Sequence, residues 1–295
     1  MSNYFSLING KFKDTISVLD RGLSYGDGLF ETMSWNIIDR KRIVGVEFWK
    51  RHLKRIKEGC MVTKLSMPPT RLLDNYKDKI LRKCALKGFN SGILKILITR
   101  GVGGRGYKFD KNIVPTIIFL SFPKTKTNQS LIKKGINVRF CKSPISINSQ
   151  LSGLKHLNRL DSVMARSEWQ AKNYFEGIFL DEFGNMLEGT MSNIFFSKDN
   201  ILYTPSLSNS GINGIMRQVV IDKSYLFFKK TLQININKNC LEDFEEMFIT
   251  NSVLKIFPVR KLEKKKFIIT KATEKLIDFF SVNNLEDKRN NLELI

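Results

Sequence analysis

Gly153-Leu154-Lys155-His156-Leu157-Asn158-Arg159-Leu160 sets a lysine between an apolar run and an amphipathic stretch that reads as a helix beginning near His156. A lysine at such a junction sheds part of its hydration. That favours the neutral amine, and a neutral amine attacks a carbonyl. The ordinary alternative is a solvated surface cation. With 49 Lys and Arg in the chain, the residue alone does not decide between the two.

Three other features sharpen the reading. Asn213-Gly214-Ile215-Met216-Arg217 opens a helix, and a glycine at a helix start lets backbone N–H groups and the helix dipole meet an anion such as phosphate. A turn or cap glycine accounts for the same residues. Glu188 lies on the returning arm of a hairpin turned at Gly184-Asn185, beside an apolar run. If buried it requires a partner, and a protonated ring nitrogen is one; an exposed strand glutamate is the other reading. The loop Gly101-Val-Gly-Gly-Arg105-Gly-Tyr107 lacks the Gly-Lys-Ser/Thr ending of a nucleotide loop and the spacing of a dinucleotide fingerprint. Its arginine suits bidentate capture of a carboxylate, or stands in a flexible exposed loop. An amine, an anion-binding helix start and a buried carboxylate together describe pyridoxal phosphate binding.

The surrounding chain bounds the architecture. Its 295 residues, 42% hydrophobic and 26% charged, describe a globular protein of two lobes. The net charge of +21 admits nucleic acid, a membrane surface or anionic small molecules. The basic residues are dispersed, however, and no aromatic-interleaved stripe or nucleic-acid motif accompanies them. Cys60, Cys84, Cys141 and Cys240 are far apart and His52 and His156 are the only histidines, so neither a disulfide framework nor a metal site is suggested, and a cytoplasmic location fits. The N-terminus lacks a signal-peptide pattern, and the apolar stretch near Ile113–Phe122 is too short to span a bilayer.

Strands are expected at Phe5–Ile8, after an Asn9-Gly10 turn at Thr15–Leu19, and at Ile93–Thr99 and Val114–Ser121. Further strands are expected at Ile136–Cys141, Gly177–Asp181, Asn193–Ser197, Met247–Thr250 and Phe267–Thr270. One helix carries Trp49, Leu53, Ile56 and Cys60 on a stripe. A second runs from Thr70 to about Lys87, with Leu73, Tyr76, Ile80 and Cys84 facing one way and Gly88 as its stop. Other helices start near Ile215 and Lys271. Without regular βαβ alternation the class is α+β. A small N-terminal α/β lobe is expected over residues 1–122 and a polar linker over 123–131. A larger lobe of mixed strands and helices then fills 132–295 and carries Lys155; its tail from about Ser281 frays.

The motifs also resemble a known family. Asp20-Arg21-Gly-Leu-Ser-Tyr25-Gly26-Asp27-Gly28-Leu-Phe30-Glu31-Thr32, His52-Leu-Lys-Arg55, Thr99-Arg100 through Tyr107, Gly153 to Arg159, Glu188-Gly-Thr-Met-Ser-Asn193, Gly211 to Gln218 and Asn251-Ser252-Val253 followed by Pro258-Val259 occur in family order. They are similar to those of fold-type IV pyridoxal-phosphate enzymes, and among these to the 4-amino-4-deoxychorismate lyases, over about Leu7–Phe280. The resemblance implies pyridoxal 5′-phosphate as cofactor, Lys155 as the Schiff-base lysine and proton shuttle, and Glu188 on the pyridine nitrogen. It implies Arg55, the amides of Ile215 and Met216, and Asn251 around the phosphate. Arg105 with Tyr107 would hold a substrate carboxylate, and the Thr32 hydroxyl would assist proton return. A homodimer acting on a small substrate with two carboxylates, without nucleic acid or membrane, is also implied. Thr32 is the discriminating position: similar branched-chain aminotransferases usually carry glycine there and D-amino-acid aminotransferases an apolar residue. Arg159, Tyr25, Phe30 and Asp27 read as packing, pairing or turn residues. An aminotransferase on the same fold is the nearest competing reading, and a non-enzymatic basic nucleic-acid-binding protein is the competing reading of another class.

Overall fold

The computed structural model divides the chain into two compact units. One comprises Met1–Lys126, Leu154–Asn158 and Asn284–Ile295, the other Thr127–Gly153 and Arg159–Asn283. The structure describes residues 4–37, 43–124, 129–170, 173–282 and 293–294, so the centre of the expected linker and most of the expected tail lie outside the described residues. The architecture is mixed α+β.

The first unit is built on an antiparallel sheet. Its strands are β1 (Phe5–Ile8), β2 (Lys11–Phe12), β3 (Gly28–Ile37), β4 (Ile43–Val46), β5 (Ser91–Thr99) and β6 (Thr116–Pro123). They are ordered β4-β3-β5-β6-β1-β2, with the two-residue strand Glu293–Leu294 beside β4. The alternation of β5 explains its place: Leu94, Ile96 and Ile98 are buried while Ile93, Lys95 and Leu97 are half-buried. On β3, likewise, Leu29, Glu31 and Met33 point into the unit, and Phe30 and Thr32 face the other way. The inward face packs under α2 (Trp49–Thr63) and α3 (Thr70–Leu86), which contribute Trp49, Leu53, Ile56 and Cys60, and Leu73, Ile80 and Cys84. These are the expected stripes. Asn9 (φ 47°) and Gly10 (φ 75°) form the tight β1–β2 turn. Thr15–Leu19 is not a strand, because local bonds satisfy its backbone instead: the Ser17 hydroxyl accepts from the Leu19 amide at 3.1 Å and the Ser17 carbonyl from the Asp20 amide at 3.0 Å. The chain then turns through the short helix α1 (Arg21–Tyr25).

The second unit holds β7 (Ile136–Phe140), β8 (Glu176–Leu180), β9 (Asn185–Gly189), β10 (Asn193–Lys198), β11 (Ile201–Pro205), β12 (Lys230–Ile234), β13 (Ile236–Asn237), β14 (Glu246–Asn251), β15 (Lys255–Leu262) and β16 (Lys265–Lys266). Their order is β12-β11-β10-β14-β15-β7-β8-β9-β13, with β16 paired to β15. The pairs β11–β12, β15–β7 and β7–β8 are parallel and the others antiparallel. Val138, Ile178, Met186, Ile194, Phe196 and Phe257 form its core. The helices are α4 (Gln129–Lys134), α5 (Leu160–Ser167), α6 (Ile215–Lys223) and α7 (Lys271–Val282). Two expectations are corrected. Phe267–Thr270 is not a strand: Phe267 turns into the core, and the Thr270 amide binds the Glu246 carboxylate rather than a strand. The helix expected near His156 begins only at Leu160, because His156 pairs with Leu29 in an extended bridge.

Candidate active site

That bridge places Lys155. The Phe30 amide donates to the Lys155 carbonyl at 2.9 Å, the Leu157 amide to the Gly28 carbonyl at 3.0 Å, and the Asn158 side-chain amide to the Gly26 carbonyl at 3.2 Å. Gly28 permits the approach, since a Cβ there would lie 2.6 Å from the Ile98 carbonyl oxygen and 2.8 Å from Leu157 Cδ1. The Lys155 Nζ lies 4.3 Å from the centre of the Phe30 ring. Thr32, two residues on, shares the face of Phe30. Directly opposite Thr32 stands Lys95, whose Nζ is 5.1 Å from the same ring. Burial lowers the pKa of the Lys95 ammonium. Phe30, read from the sequence as a packing residue, and Lys95, which sequence reading missed, belong to this cluster. The signal for Lys95 was its period: it is the one charge on an otherwise apolar strand.

Arg55 faces inward, on the buried side of α2, with His52 one turn earlier. Its Nε and Nη2 reach the two oxygens of Glu31 at 2.7 and 2.6 Å, and His52 Nδ1 lies 2.6 Å from Glu31 Oε2. Burial would push the Glu31 carboxyl up, but the charges and hydrogen bonds of Arg55 and His52 outweigh it and bring the carboxyl down to about 2. The guanidinium is therefore held in a fixed plane by a buried carboxylate.

Arg105 and Tyr107 occur together in an exposed loop. Arg21 laces that loop from beneath: its guanidinium donates to the carbonyls of Gly104 (3.3 Å), Gly106 (2.9 Å) and Tyr107 (3.3 Å). The Tyr25 hydroxyl accepts from the Gly106 amide at 3.0 Å, and the rings of Tyr25 and Tyr107 meet edge to face. Asp27 binds Arg21 at 3.0 Å and Arg100 at 2.7 and 2.9 Å, and Arg100 also donates to the carbonyls of Thr63 and Lys64. Asp27 and Tyr25 are thus more than turn and packing residues. Replacing Arg21 by methionine removes its three charge-assisted bonds to the loop, each worth about 1.5–3 kcal/mol, together with its pairing to Asp27. Tryptic cleavage after Arg105 in the folded protein is expected to accelerate at least about tenfold; an unchanged cleavage rate would show that the loop is held by other contacts.

In the second unit Glu188 is buried on β9, not exposed. Its Oε2 accepts from the Ile212 amide at 2.8 Å and from the Asn193 side-chain amide at 3.4 Å, while the same Asn193 group donates to the Ile212 carbonyl at 2.8 Å. This ties Glu188 to the entrance of α6. Gly214 caps that helix without any side-chain hydrogen bond, and a Cβ on it would fall 2.0 Å from Asn193 Oδ1. The amides of Ile215 and Met216, in the first turn, have no acceptor within the helix, which is the arrangement an anion completes. Burial lowers the Arg217 guanidinium to about 10 and also lowers that of Arg159, in each case against the charge of Glu188. Asn251 ends β14 with its side chain engaged: Nδ2 donates to the Met191 carbonyl at 3.1 Å, and Oδ1 accepts from the Val253 and Leu254 amides at 3.0 and 2.8 Å. The side chain shapes a turn, and an anion at this position would meet the turn's backbone.

With a lysine segment hydrogen-bonded to β3 and a carboxylate tied to a helix start, the chain belongs to the class IV aminotransferase family, whose model matches residues 28–262. It is 31% identical to the 4-amino-4-deoxychorismate lyase of Pseudomonas aeruginosa, whose crystal structure superposes with a TM-score of 0.86 over 94% of this chain and 98% of that one. The aminodeoxychorismate lyase of Vibrio harveyi is 28% identical over 91% of this chain and 97% of its own length. The branched-chain amino acid aminotransferase of Escherichia coli shares the fold, with a TM-score of 0.83 over 99% of each chain at 22% identity.

Proposed function

We propose that this protein is an aminodeoxychorismate lyase, a pyridoxal-phosphate-dependent carbon–oxygen lyase that releases pyruvate from 4-amino-4-deoxychorismate and yields 4-aminobenzoate, a folate precursor. The observation that carries the proposal is the seating of Lys155 on β3, its amine against Phe30 and the Thr32 hydroxyl next on the same face. The relatives named above support the choice of reaction. The residues fit the cofactor: an uncapped helix start kept open at Gly214 suits a phosphate, and buried Glu188 suits a protonated pyridine nitrogen.

When bound, the cofactor supplies an electron sink for the charge left when a proton is removed. The chain's own residues do the rest. Lys155 would hold the cofactor through its amine, and the same amine, when free, would take the proton from the amine-bearing ring carbon of the substrate. Glu188 keeps the pyridine nitrogen protonated. The amides of Ile215 and Met216, with the turn shaped by Asn251, receive the phosphate. Arg55, oriented by Glu31, would also contribute to phosphate binding. Loss of the enolpyruvyl ether leaves an aromatic ring, which drives the elimination. Lys155 or the Thr32 hydroxyl returns the proton that completes pyruvate. Arg105, with Tyr107, holds one substrate carboxylate, and Lys95, on the face of Thr32, is the geometric candidate for the other. Lys95→Met is expected to raise KM about tenfold, the loss of one hydrogen bond to a charged group, with kcat within about threefold. An unchanged KM would remove Lys95 from substrate binding.

The direct test supplies chorismate, glutamine and an aminodeoxychorismate synthase and measures 4-aminobenzoate and pyruvate in equal amounts. A cofactor-loaded enzyme that makes neither, yet turns to the pyridoxamine form when given amino acids alone, is an aminotransferase instead. We assign the protein to the cytoplasm as a homodimer. Supporting the dimer, α5 exposes Leu160, Val163 and Met164, an uncovered apolar stripe at helical spacing.

A further inference from the structure

Glu176, the first residue of β8, is fully buried, and among the described residues it has no ionic partner. Its carboxylate is surrounded instead by five neutral donors. Oε1 accepts from the amides of Gly177 (3.0 Å) and Thr190 (3.1 Å) and from the Thr190 hydroxyl (2.5 Å). Oε2 accepts from the Met191 amide (3.2 Å) and the Ser192 hydroxyl (2.9 Å). Four of the five donors belong to Thr190, Met191 and Ser192, three consecutive residues. That turn joins Glu188 at the end of β9 to Asn193 at the start of β10. Both flanking residues meet Ile212 at the entrance of α6: Glu188 accepts its amide, and Asn193 donates to its carbonyl.

The chain is shaped for this contact. A Cβ on Gly189 would lie 2.3 Å from Ser192 Oγ and 2.9 Å from Glu176 Cδ, so the carboxylate reaches the turn only past a glycine. The Gly189 amide closes the turn onto the Ser192 carbonyl at 2.7 Å, and Asn251 holds the Met191 carbonyl from the side of β14. Burial pushes the Glu176 carboxyl up against the pull of its hydrogen bonds, so the site is expensive to keep ionised. An apolar side chain would fill the same space at lower cost to folding. A carboxylate differs in offering about four acceptor sites spread over both oxygens, so all five donors find an acceptor, three of them sharing Oε1; an amide offers one oxygen.

We propose that Glu176 is a positioning residue for the cofactor site: by clamping Thr190–Ser192 it fixes Glu188 and Asn193, and through them the helix start that receives phosphate. This rests on the reading of Glu188 and α6 as the cofactor's partners. It assigns Glu176 no contact with cofactor or substrate.

Glu176→Gln places an NH2 group against at least two N–H or O–H donors. The test measures the pyridoxal phosphate dissociation constant of the apoprotein by absorbance titration, the spectrum of the bound cofactor, and cooperative unfolding of the apoprotein. The expected result is a cofactor dissociation constant raised at least about tenfold and an altered spectrum in a variant that still unfolds cooperatively, with kcat lowered and KM for the substrate little changed. A folded Glu176→Gln protein with the wild-type dissociation constant and spectrum, altered only in its unfolding midpoint, overturns the proposal. Should that variant not fold, Thr190→Val and Ser192→Ala each delete one donor and leave the carboxylate in place. Each is expected to weaken cofactor binding about threefold with the same spectral change, and wild-type binding in both overturns the proposal. Wild-type apoprotein that binds no pyridoxal phosphate sinks the functional reading and this proposal with it. Wild type that binds, beside a Glu176→Gln protein that binds equally well, sinks this proposal alone.

Discussion

Lys155→Ala is expected to lower the rate of 4-aminobenzoate formation by about 10⁴-fold or more, because in the proposed function one amine both holds the cofactor and moves the proton. The variant is expected to fold. The contacts that seat this segment on β3 are main-chain bonds, from Phe30 to the Lys155 carbonyl and from Leu157 to Gly28, which alanine keeps. The side chain itself is half-buried, and truncation there costs no more than about 1 kcal/mol. Two measurements separate chemistry from folding. Product formation is followed in the coupled assay, and borohydride treatment is followed by mass measurement of the chain. Wild type should gain the mass of the reduced cofactor, and Lys155→Ala should gain none. A variant retaining more than about 1% of the wild-type rate would show that another base removes the proton, and an undiminished mass gain would show that another lysine carries the cofactor.

Elements whose reason is local were legible in the sequence. The stripe Trp49, Leu53, Ile56 and Cys60 and the alternation around Leu94, Ile96 and Ile98 follow from the period of a helix and of a strand, and both are in place. The hairpin turned at Gly184 is likewise present, with φ of 79° at the glycine. What failed was local structure decided by distant partners. His156 reads as the start of a helix, yet it is extended because Leu29, far away in sequence, offers a strand edge. Val18 and Leu19 have strand composition but remain exposed, as Ser17 satisfies the backbone beside them. The site divides in the same way. Motifs singled out Lys155, Arg55, Glu188 and the start of α6 as candidates, but no spacing rule links Glu31 to Arg55, or Asp27 to both Arg21 and Arg100. Those pairings depend on β3 lying against α2 and on the turn before it. Asn251 stands where its motif placed it, but its side chain organises a turn.

Glu31 is where the largest stability effect is expected. Glu31→Gln preserves the shape of the side chain and removes a charge that faces Arg55 through both oxygens and His52 through one. The amide returns one acceptor and one donor, so Arg55 loses half of its bidentate pairing within a buried site. Breaking such a pair from one side costs about 3–5 kcal/mol. The acid limb of stability offers a second, independent reading. The Glu31 carboxyl moves from its ordinary 4.5 in the unfolded chain to about 2 in the folded one. As pH falls the unfolded chain takes up this proton first, so the stabilisation is fully present above about 4.5 and disappears on the way down to about 2. A shift of that size corresponds to about 3 kcal/mol. Urea unfolding at pH 7 and near pH 3 therefore separates the two proteins. The gap between wild type and Glu31→Gln should be widest at neutral pH and narrow as the wild-type carboxylate loses its advantage. Parallel curves across that range would show that the pair is not what stabilises the α2–β3 contact. The same experiment bears on the site, because Arg55 owes its orientation to Glu31. If the pair holds the guanidinium for a phosphate, pyridoxal phosphate should protect wild type against urea more than it protects Glu31→Gln at equal cofactor concentration, since ligand stabilisation scales with affinity for the folded state. Equal protection would leave Arg55 as a structural partner of Glu31 and take it out of the phosphate's binding set.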